Sequence, residues 1–103
     1  KYLIRFVDKV RVVGKSVPVG LWEIAGRRGA PEMATLEATL PTYEAALERF
    51  FALDFVAAKA GFEECRQKAP HDPTVQLYLD RCAQFLTNPP ENNWNGVTEM
   101  SSK

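Results

Sequence analysis

The 103-residue sequence has few of the residues that catalysis, metal binding or disulfide cross-linking require. It contains one histidine and two cysteines, too few for a disulfide framework or a histidine-rich metal site. Neither charge sign is in excess, because 13 Lys and Arg balance 13 Asp and Glu, whereas nucleic-acid binders are normally basic. No apolar run approaches the roughly 20 residues of a membrane span, and no signal peptide opens the chain. We therefore expect a cytoplasmic domain without nucleic-acid or direct membrane contact.

The residues that could carry chemistry lack partners of the right type. His71 lies between two prolines in a predicted turn, which favours a solvated side chain. Cys65 and Cys82 fall on apolar helical faces, where cysteines usually act as small hydrophobic residues. Gly14-Lys15-Ser16 lacks the leading glycine and the helix of a phosphate-binding loop. Surface charge is the simplest interpretation of the helical glutamates Glu44, Glu48, Glu63 and Glu64. We predict no catalytic, cofactor-binding or metal-binding residue in this chain.

The first part of the chain predicts a β-hairpin. Valines and aromatic residues dominate up to Ala25, and Val10 and Val12 alternate with charged neighbours over a strand at 8–13. A turn at 14–16 precedes a second strand at 17–24, in which Pro18 cannot donate to a ladder. A lone hairpin is marginally stable in water, so this one requires a parent sheet. Together with the initial Lys1, this leads us to expect a piece of a longer protein.

The remainder predicts three amphipathic helices with short breaks. Helix A is expected over 41–53, with Pro41 at its first position, and a further helical turn is expected over 32–38. Helix B, over 55–69, has Asp54 as its N-cap and ends at Pro70. Helix C follows the N-cap Asp72 and ends near 88. The expected inward-facing residues are Tyr43, Ala46, Leu47, Phe50, Phe55, Ala58, Phe62, Cys65, Ala69, Val75, Leu79, Cys82 and Leu86.

These elements predict an α+β fold that is mostly α: an N-terminal β-hairpin, then a tetratricopeptide-like antiparallel helical hairpin with a capping helix. One degenerate repeat matches the 34-residue tetratricopeptide pattern, with the small residue Ala58 where two helices cross. An unrelated three-helix bundle is the alternative. We divide the chain into a hairpin (1–25), a linker (26–40), helices (41–88) and a tail (89–103). In the tail, we expect Trp94 to dock back onto the helices.

Three stretches resemble a known enzyme family. The hairpin at 8–19, followed by Leu21-Trp22-Glu23-Ile24, resembles the last hairpin of class III adenylate/guanylate cyclase catalytic domains. The helices and the Pro-Pro…Trp-Asn-Gly-Val tail at 89–97 are similar to C-terminal extensions of bacterial members. The resemblance implies a parent enzyme that makes cyclic nucleotide, with cyclic AMP as the expected product, using Mg²⁺ or Mn²⁺. Its metal-binding aspartates and Asn/Arg pair would lie upstream. Some members place a lysine one residue before the turn glycine, where this chain has Val13.

Two functional hypotheses follow from these features. In the first, the chain is the non-catalytic C-terminal regulatory or interaction region of such a cyclase, inactive alone. Its partners would be the rest of the cyclase chain, a second copy in a homodimer, or a protein bound on the helical surface. The parent could be anchored to a membrane through upstream segments. In the second, the chain is a stand-alone tetratricopeptide-like interaction module unrelated to any cyclase. The residues that distinguish cyclic AMP from cyclic GMP would lie upstream.

Overall fold

The protein folds as a small β-sheet and three helices, and one face of the sheet packs on the first and third helices. A computed structural model describes residues 2–12, 19–90, 94, 96 and 98–100. Strands β1 (Tyr2–Val12) and β2 (Val19–Arg27) form an antiparallel hairpin, and β3 (Thr98–Met100) pairs parallel to β1 on its other edge. The sheet order is therefore β2-β1-β3. The α+β, mostly α class predicted from the sequence is confirmed.

The hairpin is longer than its valine pattern indicated, and it contains two irregularities. Both strands extend toward the Tyr2–Arg27 end, where the pairing of Leu3 with Gly26 precedes that of Ile4 with Ile24, so that Ala25 is an extra residue in β2. Val7 is likewise an extra residue in β1, between the pairs that contain Phe6 and Asp8. These are β-bulges, which twist a strand and turn its backbone groups away from the ladder. The predicted turn at 14–16, Val13 and Pro18 lie outside the described residues.

The three helices are α1 (Ala34–Phe51), α2 (Phe55–Lys68) and α3 (Pro73–Thr87). The N-caps predicted for α2 and α3 are confirmed: the Asp54 carboxylate accepts from the Ala57 amide, and the Asp72 carboxylate accepts from the Thr74 amide. A one-turn 3₁₀ helix (Pro31–Met33) leads into α1. Short connections keep the helices antiparallel, and α2 packs on both α1 and α3.

The predicted start of the first helix at Pro41 was wrong. Helix α1 begins at Ala34, so the helical turn expected over 32–38 and helix A are parts of one element. Proline inside a helix leaves one carbonyl without its usual amide donor and is costly. Here the surrounding packing outweighs that cost, because Thr39, Leu40 and Tyr43 on either side of Pro41 are buried.

Most of the predicted inward-facing residues form the core. The residues confirmed as buried are Tyr43, Ala46, Leu47, Phe50, Phe55, Ala58, Phe62, Cys65, Val75, Leu79 and Cys82. Leu86, predicted to face inward, is 43% exposed: it lies in the last turn of α3, where it lines an open surface pocket together with Phe55 and Val56 of α2. Gly61 permits the close approach of α1 and α2, since a Cβ there would lie 2.8 Å from the Cβ of Ala46. Ala58, the small residue predicted at the helix crossing, is fully buried as well.

The tail returns to the core, as predicted. The Trp94 ring lies against three aromatic rings, with centroid distances of 5.0 Å to Phe85, 5.8 Å to Phe50 and 6.4 Å to Phe55. Gly96 follows with φ +82°, and a Cβ there would overlap the Phe51 ring. A side chain at position 96 would therefore be strained by the backbone conformation and would have to displace the Phe51 ring. The tail then forms β3, a strand that the sequence analysis did not predict.

Candidate functional site

A buried polar cluster connects the sheet to the helices, and we call it the polar clamp. Strand residues Arg5, Asp8 and Glu23 contribute to it from the sheet side. Its helix-side members are Tyr43, Asp72, Tyr78 and Arg81. Charged residues are rarely buried unless they are paired and hydrogen-bonded, so the arrangement of these seven side chains constrains how the sheet sits on the helices.

Arg5 is the centre of the clamp. Its side chain is only 3% exposed, and its guanidinium donates two hydrogen bonds to the Asp72 carboxylate, from Nη1 to Oδ2 (2.6 Å) and from Nη2 to Oδ1 (3.1 Å). The Nε and Nη2 atoms also donate to Glu23 Oε1, at 3.1 and 2.8 Å. Burial alone disfavours the charged guanidinium, but the hydrogen bonds to Asp72 and Glu23 outweigh it and raise the pKa of Arg5. Asp72 therefore both caps α3 and neutralises the buried cation.

A second ion pair lies three residues along β1. The Arg81 guanidinium on α3 donates to both carboxylate oxygens of Asp8, with Nη1–Oδ1 at 3.0 Å and Nη2–Oδ2 at 2.8 Å. This two-point geometry fixes direction as well as distance. Burial opposes the charge on Arg81, and the hydrogen bond to Asp8 outweighs it, so the pKa of Arg81 is raised. The two ion pairs therefore attach Arg5 and Asp8 of β1 to α3 and its N-cap.

Two buried tyrosines bind the bulge between these ion pairs. The Tyr43 hydroxyl donates to the Phe6 carbonyl at 2.6 Å, and the Tyr78 hydroxyl donates to the Val7 carbonyl at 2.5 Å. The bulge is the reason why such partners are needed, since a buried carbonyl without a donor is costly. Arg5 lies over the Tyr43 ring and Arg81 over the Tyr78 ring, at 4.9 and 5.3 Å. Burial raises the pKa of both phenols, so they remain donors at neutral pH.

Removing either buried hydroxyl is expected to destabilise the fold measurably. Tyr43→Phe and Tyr78→Phe should each cost about 1–2 kcal/mol of unfolding free energy, because each leaves a buried carbonyl of the bulge unsatisfied. Urea unfolding monitored by circular dichroism measures the loss. The matched control is Tyr2→Phe, whose side chain is 59% exposed on the opposite face of the sheet. Equal stabilities of all three variants would contradict a role for the two hydroxyls at the bulge.

The residues singled out from the sequence are not brought together. His71 is exposed in the turn before α3, next to the clamp residue Asp72. Cys65 and Cys82 are buried free thiols; burial raises the pKa of both, to about 11 for Cys82. A protonated buried thiol is a poor nucleophile, which agrees with the packing role predicted for them. Among the described residues, no three His, Cys, Asp or Glu side chains are grouped to hold a metal ion.

Sequence reasoning missed most of the polar clamp. Arg5, Asp8 and Arg81 were not singled out, and Tyr43 and Tyr78 were read only as apolar packing. One signal was available: Leu3, Arg5, Asp8 and Val10 all face the helices, so two charges interrupt an otherwise apolar strand face. The bulge at Val7 hid this signal, because it breaks the period of two on which strand-face assignments rest.

In the described part of the chain, no helix is both long and apolar enough to cross a membrane.

The sequence of this chain is similar to a short part of a known protein. The chain is 27% identical over 86 residues to the adenylate cyclase described as terminal-differentiation specific from Dictyostelium discoideum. The match covers 84% of this chain but only 4% of that protein, so the chain spans a small part of its relative. The hairpin and the helical part are each shorter than 86 residues, so the match includes parts of both. No family model matches the chain, and no solved structure matches it.

Proposed function

We propose that this chain is the non-catalytic C-terminal regulatory and interaction region of a class III nucleotide cyclase, with β1 and β2 as the last hairpin of the catalytic domain and the rest of that domain upstream. The similarity to an adenylate cyclase across both the hairpin and the helices carries this proposal. The bacterial origin and the tetratricopeptide-like character of the helices are parts of the same proposal. The product would be cyclic AMP, made from ATP with Mg²⁺ or Mn²⁺ held by upstream residues of a cytoplasmic enzyme.

The polar clamp supplies the physical means of regulation in this proposal. If β1 and β2 close the catalytic sheet, then Arg5–Asp72 and Asp8–Arg81 join that sheet to α3 through two bidentate ion pairs. Paired charges in a partly buried site resist sliding, because separating them leaves uncompensated charge. A displacement of the helices by a bound partner would therefore be transmitted to the last hairpin rather than absorbed at the interface.

Two measurements test the proposal. The chain alone should make no cyclic nucleotide from ATP or GTP with Mg²⁺ or Mn²⁺, and turnover by it would contradict the non-catalytic role. The complete coding sequence should contain two metal-binding aspartates and an Asn-x-x-x-Arg motif upstream of Lys1. A different upstream domain would favour the alternative, an interaction module unrelated to cyclases.

In the full-length cyclase, the clamp can be tested directly. Arg81→Lys keeps the charge but removes the two-point contact to Asp8, so we expect altered cyclase activity with the fold retained by circular dichroism. The matched control is Arg66→Lys, since Arg66 pairs with Glu63 at 2.8 Å on the exposed face of α2. Equal activity of the wild type and both variants would argue against coupling through the clamp.

A further inference from the structure

The tail is attached to the rest of the molecule by Trp94, Gly96 and β3, which together we call the strap. Trp94 lies against three phenylalanine rings of the helices. Gly96, two residues later, is buried against the ring of Phe51, the last residue of α1. Strand β3 then pairs with Val10–Val12 on the edge of β1 opposite β2. The strap therefore connects the helices to the sheet across the end of α1.

Strand β3 is too short to stay on the sheet without help. It has three residues and pairs parallel to β1. Parallel pairing is slightly weaker per residue than antiparallel pairing, and each ordered residue loses conformational entropy that a few ladder hydrogen bonds barely offset. Even an isolated two-stranded hairpin is only marginally stable in water. Strand β3 therefore needs a second attachment that keeps it next to β1.

Trp94 is placed to supply that attachment. Its ring fits into a cleft formed by Phe50, Phe55 and Phe85, which we call the aromatic cleft. Aromatic side chains bury large apolar areas, and edge-to-face contacts such as that between Trp94 and Phe50, with ring planes at 79°, add to the effect. Since β3 begins only four residues after Trp94, a docked Trp94 keeps it at a high effective concentration beside β1.

We propose that the strap is one unit that opens without the rest of the fold: docking of Trp94 in the aromatic cleft holds β3 on β1, and the two detach together. The polar clamp stays closed, because its hydrogen bonds join β1 and β2 to helix-side residues no later than Arg81. Opening uncovers the aromatic cleft and the edge of β1 together, so a partner side chain that replaces Trp94 also frees that edge. The inference is independent of the proposed function, since it uses only contacts of the tail.

Amide hydrogen exchange of the full chain, followed by NMR, tests this proposal. In the wild type, the amides of β3 should exchange more slowly than in an unfolded chain but faster than the core amides of Phe62 and Tyr78. In Trp94→Ala, the protection of β3 should fall at least about tenfold, to near the unfolded level, while Phe62 and Tyr78 stay protected. The control is Trp22→Ala, which removes an exposed tryptophan from the sheet and should leave β3 protected.

Gly96→Ala tests the dependence in the reverse direction. A side chain at position 96 is strained by the backbone conformation and meets the Phe51 ring, so it disturbs the strap between its two attachments. The measurement uses the Trp22→Phe background, in which Trp94 is the sole tryptophan. Acrylamide should quench the fluorescence of Trp94 at least about twofold more strongly when Gly96→Ala is added, because the ring leaves the cleft with β3.

Four outcomes would overturn the proposal: β3 amides without protection in the wild type, equal protection of β3 in the wild type and Trp94→Ala, loss of core protection together with that of β3, or unchanged quenching in Gly96→Ala. The second would mean that β3 pairs independently of Trp94, and the third that the strap opens only with the whole fold. If Trp94→Ala does not fold, amide exchange of Gly96→Ala decides by the same outcomes. None of them depends on cyclase activity, so failure of the strap and failure of the proposed function are read separately.

Discussion

Replacement of Asp72 by alanine should cost about 3–4 kcal/mol of unfolding free energy, the largest effect that we expect from a single polar substitution in this chain. Asp72 is the bidentate partner of Arg5, whose side chain is 3% exposed, and it also caps α3 through the Thr74 amide. Its loss leaves a buried guanidinium with only Glu23, which is 38% exposed, as a counter-ion. Urea unfolding monitored by circular dichroism measures the loss.

Asp54→Ala is the matched control for this substitution. Asp54 caps α2 in the same way, by accepting from the Ala57 amide, but it is exposed and binds no arginine in the described contacts. Loss of the cap alone should cost about 1 kcal/mol. The difference between the two variants isolates the buried ion pair from the helix cap. Similar losses would mean that Asp72 acts as a cap only and that the clamp does not hold the sheet.

Trp94→Ala should lower the free energy of unfolding by about 2–3 kcal/mol, which for a domain of this size corresponds to roughly 10–20 °C in melting temperature. Its ring contacts Phe50, Phe55 and Phe85, and its removal opens the aromatic cluster where the tail joins the helices. The side chain is partly exposed, so the loss falls below that of a fully buried tryptophan. Thermal unfolding monitored by circular dichroism provides the midpoint.

The second tryptophan supplies the control. Trp22 is 64% exposed and contacts Phe6 alone among the described aromatic rings, so Trp22→Ala should shift the midpoint by only a few degrees at low protein concentration. In that variant Trp94 is the sole tryptophan, and its fluorescence should shift to longer wavelength on unfolding. An unchanged midpoint for Trp94→Ala would contradict docking of the tail.

Helix positions were predictable where local signals agree with packing. Aspartate before a helix, proline at its first turn and apolar residues at steps of three and four placed α2 and α3 to within a residue or two. Pro41 predicts a helix start because proline is common at the first helical position, but it lies inside α1. Its tolerance depends on the burial of neighbouring residues, which local sequence does not encode.

Strand β3 and the polar clamp were not predictable from local sequence, because both depend on contacts between residues that are far apart in the chain. Thr98–Met100 is too short to show a periodic pattern, and its pairing with β1 joins residues nearly ninety positions apart. The ion pair between Arg5 and Asp72 spans 67 positions and that between Asp8 and Arg81 spans 73. The sequence around one residue of such an ion pair does not indicate its partner, since a charged residue on a strand or at a helix cap is ordinarily solvated.

The sequence by itself determined the hairpin, the order of the helices, their caps and most of the apolar core, because these follow from periodicities and turn residues within short windows. Tertiary structure alone decided which charges are buried, how the bulge at Val7 turns two carbonyls towards Tyr43 and Tyr78, and that β1 lies between β2 and β3 in the sheet. Those features depend on groups brought together by the packing of the sheet on the helices. The free energy of a buried charge or carbonyl is set by its spatial neighbours rather than by its neighbours along the chain.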